Sequence, residues 1–262
     1  GLQAGDIILE VDGVSVEGMS LYEAISLIRG PADTTVVLTI FREGEEEPRD
    51  VSVVRARIEI ELVESERLEG DIGLVSLSEF SRGASNKVKQ AIQDLEARGP
   101  LKGLIFDLRN NPGGLLDEAV FVASQFIADG VITIEREKNG TEQVFEALPD
   151  GVATDVPLVV LINTGSASAS EIVAGAIQEN GRGTLIGVQS FGKGTVQIPY
   201  TLSDGSELRV TIAEWLTPKG RQINREGITP DIVVKRSTED IKAGRDPQLD
   251  RAVEYLQDAQ RQ

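Results

Sequence analysis

Apolar and polar residues follow two different patterns along this 262-residue chain. In the first part, short apolar runs predict strands over 7–11 and 35–41. Apolar residues at helical spacing predict a helix between these strands: Leu21, Ala24, Ile25 and Ile28. Charged residues dominate from 55 to 69, so we place a boundary between two domains there.

From residue 70 onward, the pattern alternates between strand and helix. The predicted strands are 72–77, 103–108, 157–162, 184–188, 195–202 and 207–213. The predicted helices are 85–98, 115–128, 169–179 and 249–256. The run LIFDL is apolar except for Asp107, and the run LVVLI is apolar throughout, which is typical of strands covered on both faces. We therefore predict a mixed α/β fold with βαβ units in this part of the chain.

Composition and charge remove several classes of function. The formal net charge of −17 would repel a phosphate backbone, so we expect no nucleic-acid partner. The chain contains no cysteine and no histidine, which excludes disulfides, thiolate or imidazole metal ligands and a Ser-His-Asp triad. No apolar run reaches the ~18 residues of a membrane-spanning helix, and no signal-peptide pattern is present.

The segment GSASASE, residues 165–171, combines a helix start with three small hydroxyl side chains. Ser168 and Glu171 have the spacing of a capping box, which predicts that a helix begins there. On one interpretation Ser168 only caps this helix and its neighbours are small for tight packing. On the other, Ser168 is a nucleophile beside free helix amides that would stabilise an oxyanion.

A serine nucleophile needs a base, and without histidine the candidate is Lys193 in the segment SFGKGT. A lysine must be neutral to accept a proton, and burial among apolar groups favours the neutral form. The alternative is an ordinary exposed lysine in a glycine turn.

Two glycine-containing segments leave further alternatives open. Residues 187–193 match the first seven positions of a phosphate-binding loop, but Gly194 stands where a hydroxyl is required and a strand pattern follows instead of a helix. Nucleotide binding is therefore disfavoured.

The segment DLRNNPGG, residues 107–114, has two interpretations. The glycine pair would let backbone amides approach an oxyanion, or the glycines are present only because the turn requires small residues.

Taken together, five segments resemble the C-terminal processing peptidases, also called tail-specific proteases, which use a Ser-Lys dyad. The segments are GDIGLVSLSEFS (70–81), GLIFDLRNNPGGLL (103–116), GSASASEIVAGAIQ (165–178), GVQSFGKGTVQ (187–197) and LTPKGRQINREGITPDIVV (216–234). The resemblance implies Ser168 as nucleophile, Lys193 as general base and Gln197 as the residue that orients the lysine amine. It also implies oxyanion donors in the amides of Ala169 and of Gly113 or Gly114, with Gly114 favoured.

The first segment looks like the later part of a PDZ domain. LQAGDIILEVDGVSV, MSLYEAISLIRG and TTVVLTIFR carry this resemblance, and the alternative is an unrelated small α+β domain. The carboxylate-binding loop of a PDZ domain normally lies upstream of these motifs, so we expect a partial domain that lacks its N-terminal part. The resulting division is 1–56 for the partial PDZ domain, 57–240 for the α/β protease core and 241–262 for a C-terminal helical tail.

The resemblance also implies a function. We expect a serine endopeptidase that cleaves proteins or peptides near apolar C-terminal tails, with the PDZ domain recognising the tail and gating activity. No metal, cofactor or nucleotide is implied, whereas an adaptor protein, a homo-oligomer and an extracytoplasmic compartment such as the periplasm are compatible with the family. The alternative is a catalytically inactive, PDZ-containing binding scaffold.

Overall fold

The chain forms two compact units, each with its own sheet and core. The computed structural model describes residues 1–3, 5–19, 21–57, 61–202 and 204–260. Unit 1 consists of Gly1–Ile60 and Ser237–Arg245, and unit 2 consists of Glu61–Arg236 and Asp246–Gln262. In chain order the strands are β1 (Ile7–Val11), β2 (Val14–Ser15), β3 (Thr35–Phe41), β4 (Arg49–Val54), β5 (Val63–Leu68), β6 (Ile72–Leu77), β7 (Gly103–Asp107), β8 (Val131–Glu137), β9 (Glu142–Glu146), β10 (Leu158–Ile162), β11 (Thr184–Gly187), β12 (Thr195–Thr201), β13 (Glu207–Leu216) and β14 (Ile232–Val233). The helices are α1 (Leu21–Ile28), α2 (Ala84–Glu96), α3 (Leu116–Ala123), α4 (Ala169–Glu179), α5 (Thr238–Lys242) and α6 (Pro247–Ala259).

Unit 1 is built on an antiparallel sheet with strand order β2-β1-β3-β4. Along β3, Val36, Leu38 and Ile40 are buried and the residues between them are more exposed, as expected when one face of a sheet covers a core. Leu27 and Ile28 of α1 pack against this cluster. The predicted strands 7–11 and 35–41 and the predicted helix 21–28 are confirmed.

Unit 2 is built on a six-stranded sheet with order β14-β11-β10-β7-β6-β5. Strands β6, β7, β10, β11 and β14 run parallel, and only β5, at the edge, runs antiparallel to its neighbour. The α/β fold class predicted from the sequence is confirmed.

Helices cover both faces of this sheet. Leu104, Phe106 and Val160 belong to the cluster that also contains the buried residues of α2, α3 and α4, whereas Ile105 and Val159 belong to a second cluster with residues of α6. Because side chains alternate across a strand, both faces of β7 and β10 are buried. This explains why the run LIFDL is apolar up to Asp107 and the run LVVLI is apolar throughout.

A second sheet in unit 2 has the order β12-β13-β8-β9 and is antiparallel throughout. The predicted strands 195–202 and 207–213 correspond to β12 and β13. Strands β8 and β9 were not predicted, because charged and polar residues interrupt their apolar positions.

Two further differences from the sequence prediction have local causes. Helix α3 ends at Ala123, five residues before the predicted end, and the hydroxyl of the C-cap residue Ser124 donates to the Val120 carbonyl oxygen at 2.7 Å. Strand β5 lies inside the charged stretch that we interpreted as a boundary. Its position at the sheet edge lets it expose charged side chains to solvent.

In the described part of the chain, each helix is too short or too polar to cross a bilayer.

Candidate active site

Three loops meet at the carboxyl ends of neighbouring parallel strands, where α/β sheets commonly bind ligands. We name these loops after the roles expected from the sequence: the oxyanion loop (108–115) follows β7, the nucleophile turn (163–168) follows β10, and the lysine loop (188–194) follows β11. The Ala167 N–H donates to the Asn111 carbonyl oxygen at 3.0 Å, and the Phe191 N–H donates to the Ser166 carbonyl oxygen at 3.0 Å. The nucleophile turn therefore contacts both other loops.

Ser168 lies at the point where the nucleophile turn becomes helix α4. Its backbone has φ 57° and ψ −114°, an unusual conformation for a residue with a side chain. A sharp turn of this kind between strand and helix exposes the side chain at its apex, as in the nucleophile elbows of hydrolases. Ser168 is half-buried, and the predicted capping box with Glu171 is present.

Glu171 connects the nucleophile turn to the lysine loop. Its carboxylate is fully buried, with 0% exposure. Oε2 accepts the backbone N–H of Ser168 and the backbone N–H of Lys193, both at 2.8 Å. Oε1 accepts the Ser190 hydroxyl at 2.5 Å and the Gly192 N–H at 2.6 Å. One carboxylate thus fixes the backbone positions of both predicted dyad residues.

The side chains of Lys193 and Gln197 are not joined to Ser168. Lys193 is exposed, and its amine makes no hydrogen bond with any residue that the structure describes. Gln197 is exposed as well, and its Nε2 donates to Thr211 Oγ1 at 3.3 Å across the β12–β13 pair. The structure therefore brings the backbones of Ser168 and Lys193 together, without a hydrogen bond between the two side chains.

Two backbone amides of these loops are without an acceptor among the described residues: that of Ala169, which follows Ser168, and that of Gly114, which follows Gly113. The Gly113 amide, in contrast, donates to Asn111 Oδ1 at 2.9 Å. A Cβ built on Gly113 would lie 2.8 Å from Ser168 Cβ and 2.9 Å from the Ala169 nitrogen, so the glycine turn is packed directly against the serine. Gly113 is buried, whereas Gly114 is exposed and can be reached by a ligand.

Sequence patterns predict only part of this arrangement. The capping-box spacing indicates Glu171 as a helix cap, and no pattern gives Asn111 a role. The Ser-x-x-Glu spacing was the available signal for Glu171, but its bonds to the lysine loop join residues about twenty positions apart, and no local pattern predicts them. In the described part of the chain, no cluster of three or more carboxylates forms a metal site.

An ionic cluster anchors the start of the oxyanion loop. Arg109 makes a bidentate pair with Asp107 at the end of β7, and its Nη1 donates to Asp246, the N-cap of α6, at 2.8 Å. Burial by itself would lower the pKa of the Arg109 guanidinium, but the hydrogen bonds to Asp107 and Asp246 raise it above its usual range. Arg109 thus stays charged and joins the loop to the C-terminal helix.

Comparison with known proteins gives two family matches and several relatives. The model of peptidase family S41 matches residues 71–234, and a PDZ-domain model matches residues 1–42. The carboxy-terminal-processing protease of Bartonella bacilliformis is 45% identical over 240 residues, which are 90% of this chain and 55% of that protein. The carboxyl-terminal-processing protease of Synechocystis sp. is 41% identical over 263 residues, which are 98% of this chain and 61% of that protein.

A solved structure supports the same relationship. The photosystem II D1 C-terminal processing protease superposes with a TM-score of 0.72 at 35% identity, covering 90% of this chain and 64% of that one. The chain therefore spans between about half and two thirds of the length of the relatives it matches. With the match over 71–234 and this level of identity, the chain belongs to peptidase family S41.

Proposed function

We propose that this chain is a serine endopeptidase that cleaves proteins near apolar C-terminal tails, with Ser168 as nucleophile and Lys193 as general base. One observation carries the proposal: the buried Glu171 carboxylate holds the backbones of both residues, while the amides of Ala169, after Ser168, and of Gly114, after the Gly113 that packs against Ser168, have no acceptor among the described residues. A nucleophile, a nearby base and preorganised N–H donors are the groups that acyl transfer requires.

The chemistry would proceed in two steps. Ser168 Oγ attacks the carbonyl carbon of the scissile peptide as its proton moves to the neutral amine of Lys193. The resulting ammonium returns the proton to the leaving amine when the C–N bond breaks, which leaves an acyl group on Ser168. Water then attacks the acyl carbonyl as Lys193 accepts a proton from it, and the lysine returns this proton to Ser168 Oγ when the acyl C–O bond breaks, which releases the carboxylic acid product and regenerates the serine.

The oxyanion of each tetrahedral intermediate would be bound by the amides of Ala169 and Gly114. Both lack an acceptor among the described residues, whereas the Gly113 amide is already bonded to Asn111. The Ala169 amide also lies in the first turn of α4, where the helix dipole favours negative charge. Because the Gly113 amide is already bonded and the Gly114 amide is not, Gly114 is the better candidate for the second donor.

Proton transfer requires the Lys193 side chain to turn from solvent toward Ser168. We assign the orientation of its amine to Gln197, whose side-chain amide would leave Thr211 for the lysine. Gln197 lies in β12, which begins at Thr195, two residues after Lys193, and this short separation in sequence supports the assignment.

The substrate and setting are proposed from the relatives. Their names describe carboxy-terminal processing, and the PDZ match suggests that this module recognises the substrate tail and gates cleavage. We further propose action in an extracytoplasmic compartment such as the periplasm, with an adaptor or self-association as regulators. We propose that residues 1–56 recognise the substrate tail, residues 57–240 catalyse cleavage and residues 241–262 form a helical tail.

A second candidate function is a PDZ-containing binding scaffold without catalysis. It is favoured by one observation, the exposed Lys193 amine that makes no hydrogen bond to Ser168. The two functions differ in what happens when the serine hydroxyl is removed, because a scaffold does not need it.

The deciding experiment incubates the chain with an unfolded protein that ends in an apolar tail and identifies the products by mass spectrometry. Ser168→Ala and Lys193→Ala are compared with Lys87→Ala, a control that removes another exposed lysine, on helix α2. We expect cleavage by the unmodified chain and by Lys87→Ala, and none by the other two. Cleavage that persists in Ser168→Ala would contradict the assigned nucleophile, and a cellular role that survives Ser168→Ala would favour the scaffold.

A further inference from the structure

We propose that Ser166 and Ser170, which flank the nucleophile in the sequence, are positioning residues that clamp the oxyanion loop against the nucleophile turn. The inference rests on the proposed function, since it concerns the amide donors of that site. It replaces the expectation that these serines are present only because they are small.

Ser166 binds the start of the oxyanion loop. Its hydroxyl is fully buried and donates to the Leu108 carbonyl oxygen at 2.8 Å. The Ser166 hydroxyl oxygen also accepts the Asn163 N–H at 3.0 Å, so this hydroxyl is both a donor and an acceptor. It therefore joins the residue after β7 to the residue after β10.

Ser170 binds the middle of the same loop. Its hydroxyl is also fully buried and donates to the Asn111 carbonyl oxygen at 2.9 Å. A serine in the first turn of a helix usually bonds to its own helix or to solvent, whereas this one bonds to a separate segment. The Ala167 N–H donates to the same carbonyl oxygen at 3.0 Å, so two groups from the nucleophile turn and helix fix one peptide of the oxyanion loop.

Asn111 transmits this constraint to the glycine pair. Its side chain is fully buried, with Nδ2 donating to the Leu77 carbonyl oxygen at 2.8 Å and Oδ1 accepting the Gly113 N–H at 2.9 Å. The Phe80 N–H holds the other side of Gly113 by donating to its carbonyl oxygen at 2.9 Å. The peptide groups on both sides of Gly113 are fixed in this way. Within the oxyanion loop, the Gly114 N–H then remains without an acceptor among the described residues.

The alternation of serine and alanine in this segment fits the proposal better than packing alone does. Ala167 and Ala169 occupy the same turn and are buried, so small apolar residues are accepted there. The hydroxyls occur at the two positions that face carbonyl oxygens of the oxyanion loop. Alanine would fill nearly the same volume and would lose the bonds to these two carbonyl oxygens, together with the bond that Ser166 accepts from the Asn163 N–H.

The test compares Ser166→Ala, Ser170→Ala and the double variant with Ser124→Ala. Ser124 is a matched control because it is 2% exposed, donates to the Val120 carbonyl oxygen at 2.7 Å and accepts the Leu148 N–H at 3.0 Å, without contacting the oxyanion loop. Two properties are measured: kcat and KM for cleavage of the unfolded protein, and amide hydrogen exchange over residues 108–115.

We expect kcat to fall about 10- to 100-fold in Ser166→Ala and Ser170→Ala with KM changed less than about twofold, because misplaced amides weaken transition-state binding. Exchange over 108–115 should become faster in both. Ser124→Ala should keep kcat and the exchange pattern, although each variant lowers the melting temperature by about 2–4 °C.

Wild-type kcat together with unchanged exchange in both variants would overturn the clamp and restore the packing interpretation. If the unmodified chain does not cleave, the proposed function fails and hydrogen exchange alone tests the clamp. Faster exchange over 108–115 in Ser166→Ala and Ser170→Ala would then support the clamp. Exchange equal to that of Ser124→Ala would overturn the clamp.

Discussion

The backbone N–H groups of Ser168 and Lys193 donate to the same carboxylate oxygen, Oε2 of Glu171, and each N–Oε2 distance is 2.8 Å. The second oxygen is occupied by Ser190 and Gly192 from the lysine loop. The two loops that carry the proposed dyad therefore share one buried anchor. Any change that removes an acceptor from this anchor should separate the loops.

Glu171→Gln tests the anchor. An amide has one oxygen and one donor group, so two of the four N–H and O–H groups would lose their acceptor and face the glutamine NH₂ instead. We expect the free energy of unfolding to fall by about 3 kcal/mol and kcat to fall at least tenfold, as measured by urea unfolding and peptide cleavage. Glu64→Gln, an exposed position on β5, is the control and should change neither. Equal effects from the two variants would show that Glu171 is not an anchor.

The glycine turn beside the nucleophile gives a second prediction. Gly113 has φ +100°, and a Cβ there would lie 2.6 Å from the Ala167 carbonyl oxygen and 2.8 Å from Ser168 Cβ. Gly113→Ala should therefore displace the nucleophile and lower kcat about 100-fold. Gly181→Ala is the control, since Gly181 also has a positive φ, +68°, but has no atom within 4 Å of the added Cβ.

The comparison of these two glycine variants separates backbone strain from steric contact. Gly181→Ala should lower the free energy of unfolding by about 1–2 kcal/mol through the left-handed conformation, and Gly113→Ala should lower it further because its Cβ also clashes with neighbouring atoms. Only Gly113→Ala should lose cleavage. Full activity in Gly113→Ala, measured as kcat/KM on the unfolded protein, would mean that the glycine turn does not form part of the site.

Sequence patterns predicted the parts of this protein that depend on neighbouring residues. The apolar runs of β7 and β10, and the capping box of Ser168 and Glu171, report local burial and helix geometry. The bonds of Glu171 to the lysine loop and of Ser170 to the oxyanion loop depend on which strand ends lie side by side. The order of the strands in the sheet depends on the whole chain, so the pattern of a single segment does not predict these bonds.

Glu118 on α3 gives a prediction on pH. Its carboxylate accepts the N–H groups of Gly83 at 2.6 Å and Ser85 at 2.9 Å, at the start of α2. Burial alone would raise the pKa of Glu118, but these backbone hydrogen bonds outweigh it and the pKa is lowered. A carboxylate whose pKa is lowered on folding stabilises the fold above its ordinary pKa of about 4.3, and this contribution is lost as the pH falls below that value.

Glu118→Gln should therefore lower the free energy of unfolding by about 1–2 kcal/mol at neutral pH, and the difference should shrink as the pH is lowered below about 4. Urea unfolding at a series of pH values measures it. Asp117→Asn changes the neighbouring exposed carboxylate and should have little effect at any pH. A difference that stays constant between neutral and acidic pH would exclude ionisation of Glu118 as its cause.

The cluster around Arg109 ties the oxyanion loop to the C-terminal helix. The guanidinium binds Asp107 at 2.7 Å, Asp246 at 2.8 Å and Gln248 Oε1 at 3.1 Å. Asp246 also caps α6 by accepting the Leu249 N–H at 3.1 Å. Burial would raise the pKa of Asp246, but the hydrogen bonds from Arg109 and Leu249 and the nearby Arg236 charge hold it below its ordinary value.

Arg109→Ala should lower the free energy of unfolding by about 3 kcal/mol, because it removes the guanidinium that two poorly exposed carboxylates share and leaves Asp246 with the more distant Arg236 at 3.4 Å. Amide exchange should become faster over residues 247–259 and over the oxyanion loop, since the arginine connects both. Arg251→Ala, which removes an exposed pair with Glu254 on α6 itself, should change stability by less than about 1 kcal/mol. Faster exchange in α6 alone, with the oxyanion loop unaffected, would show that Arg109 anchors the helix without positioning the loop.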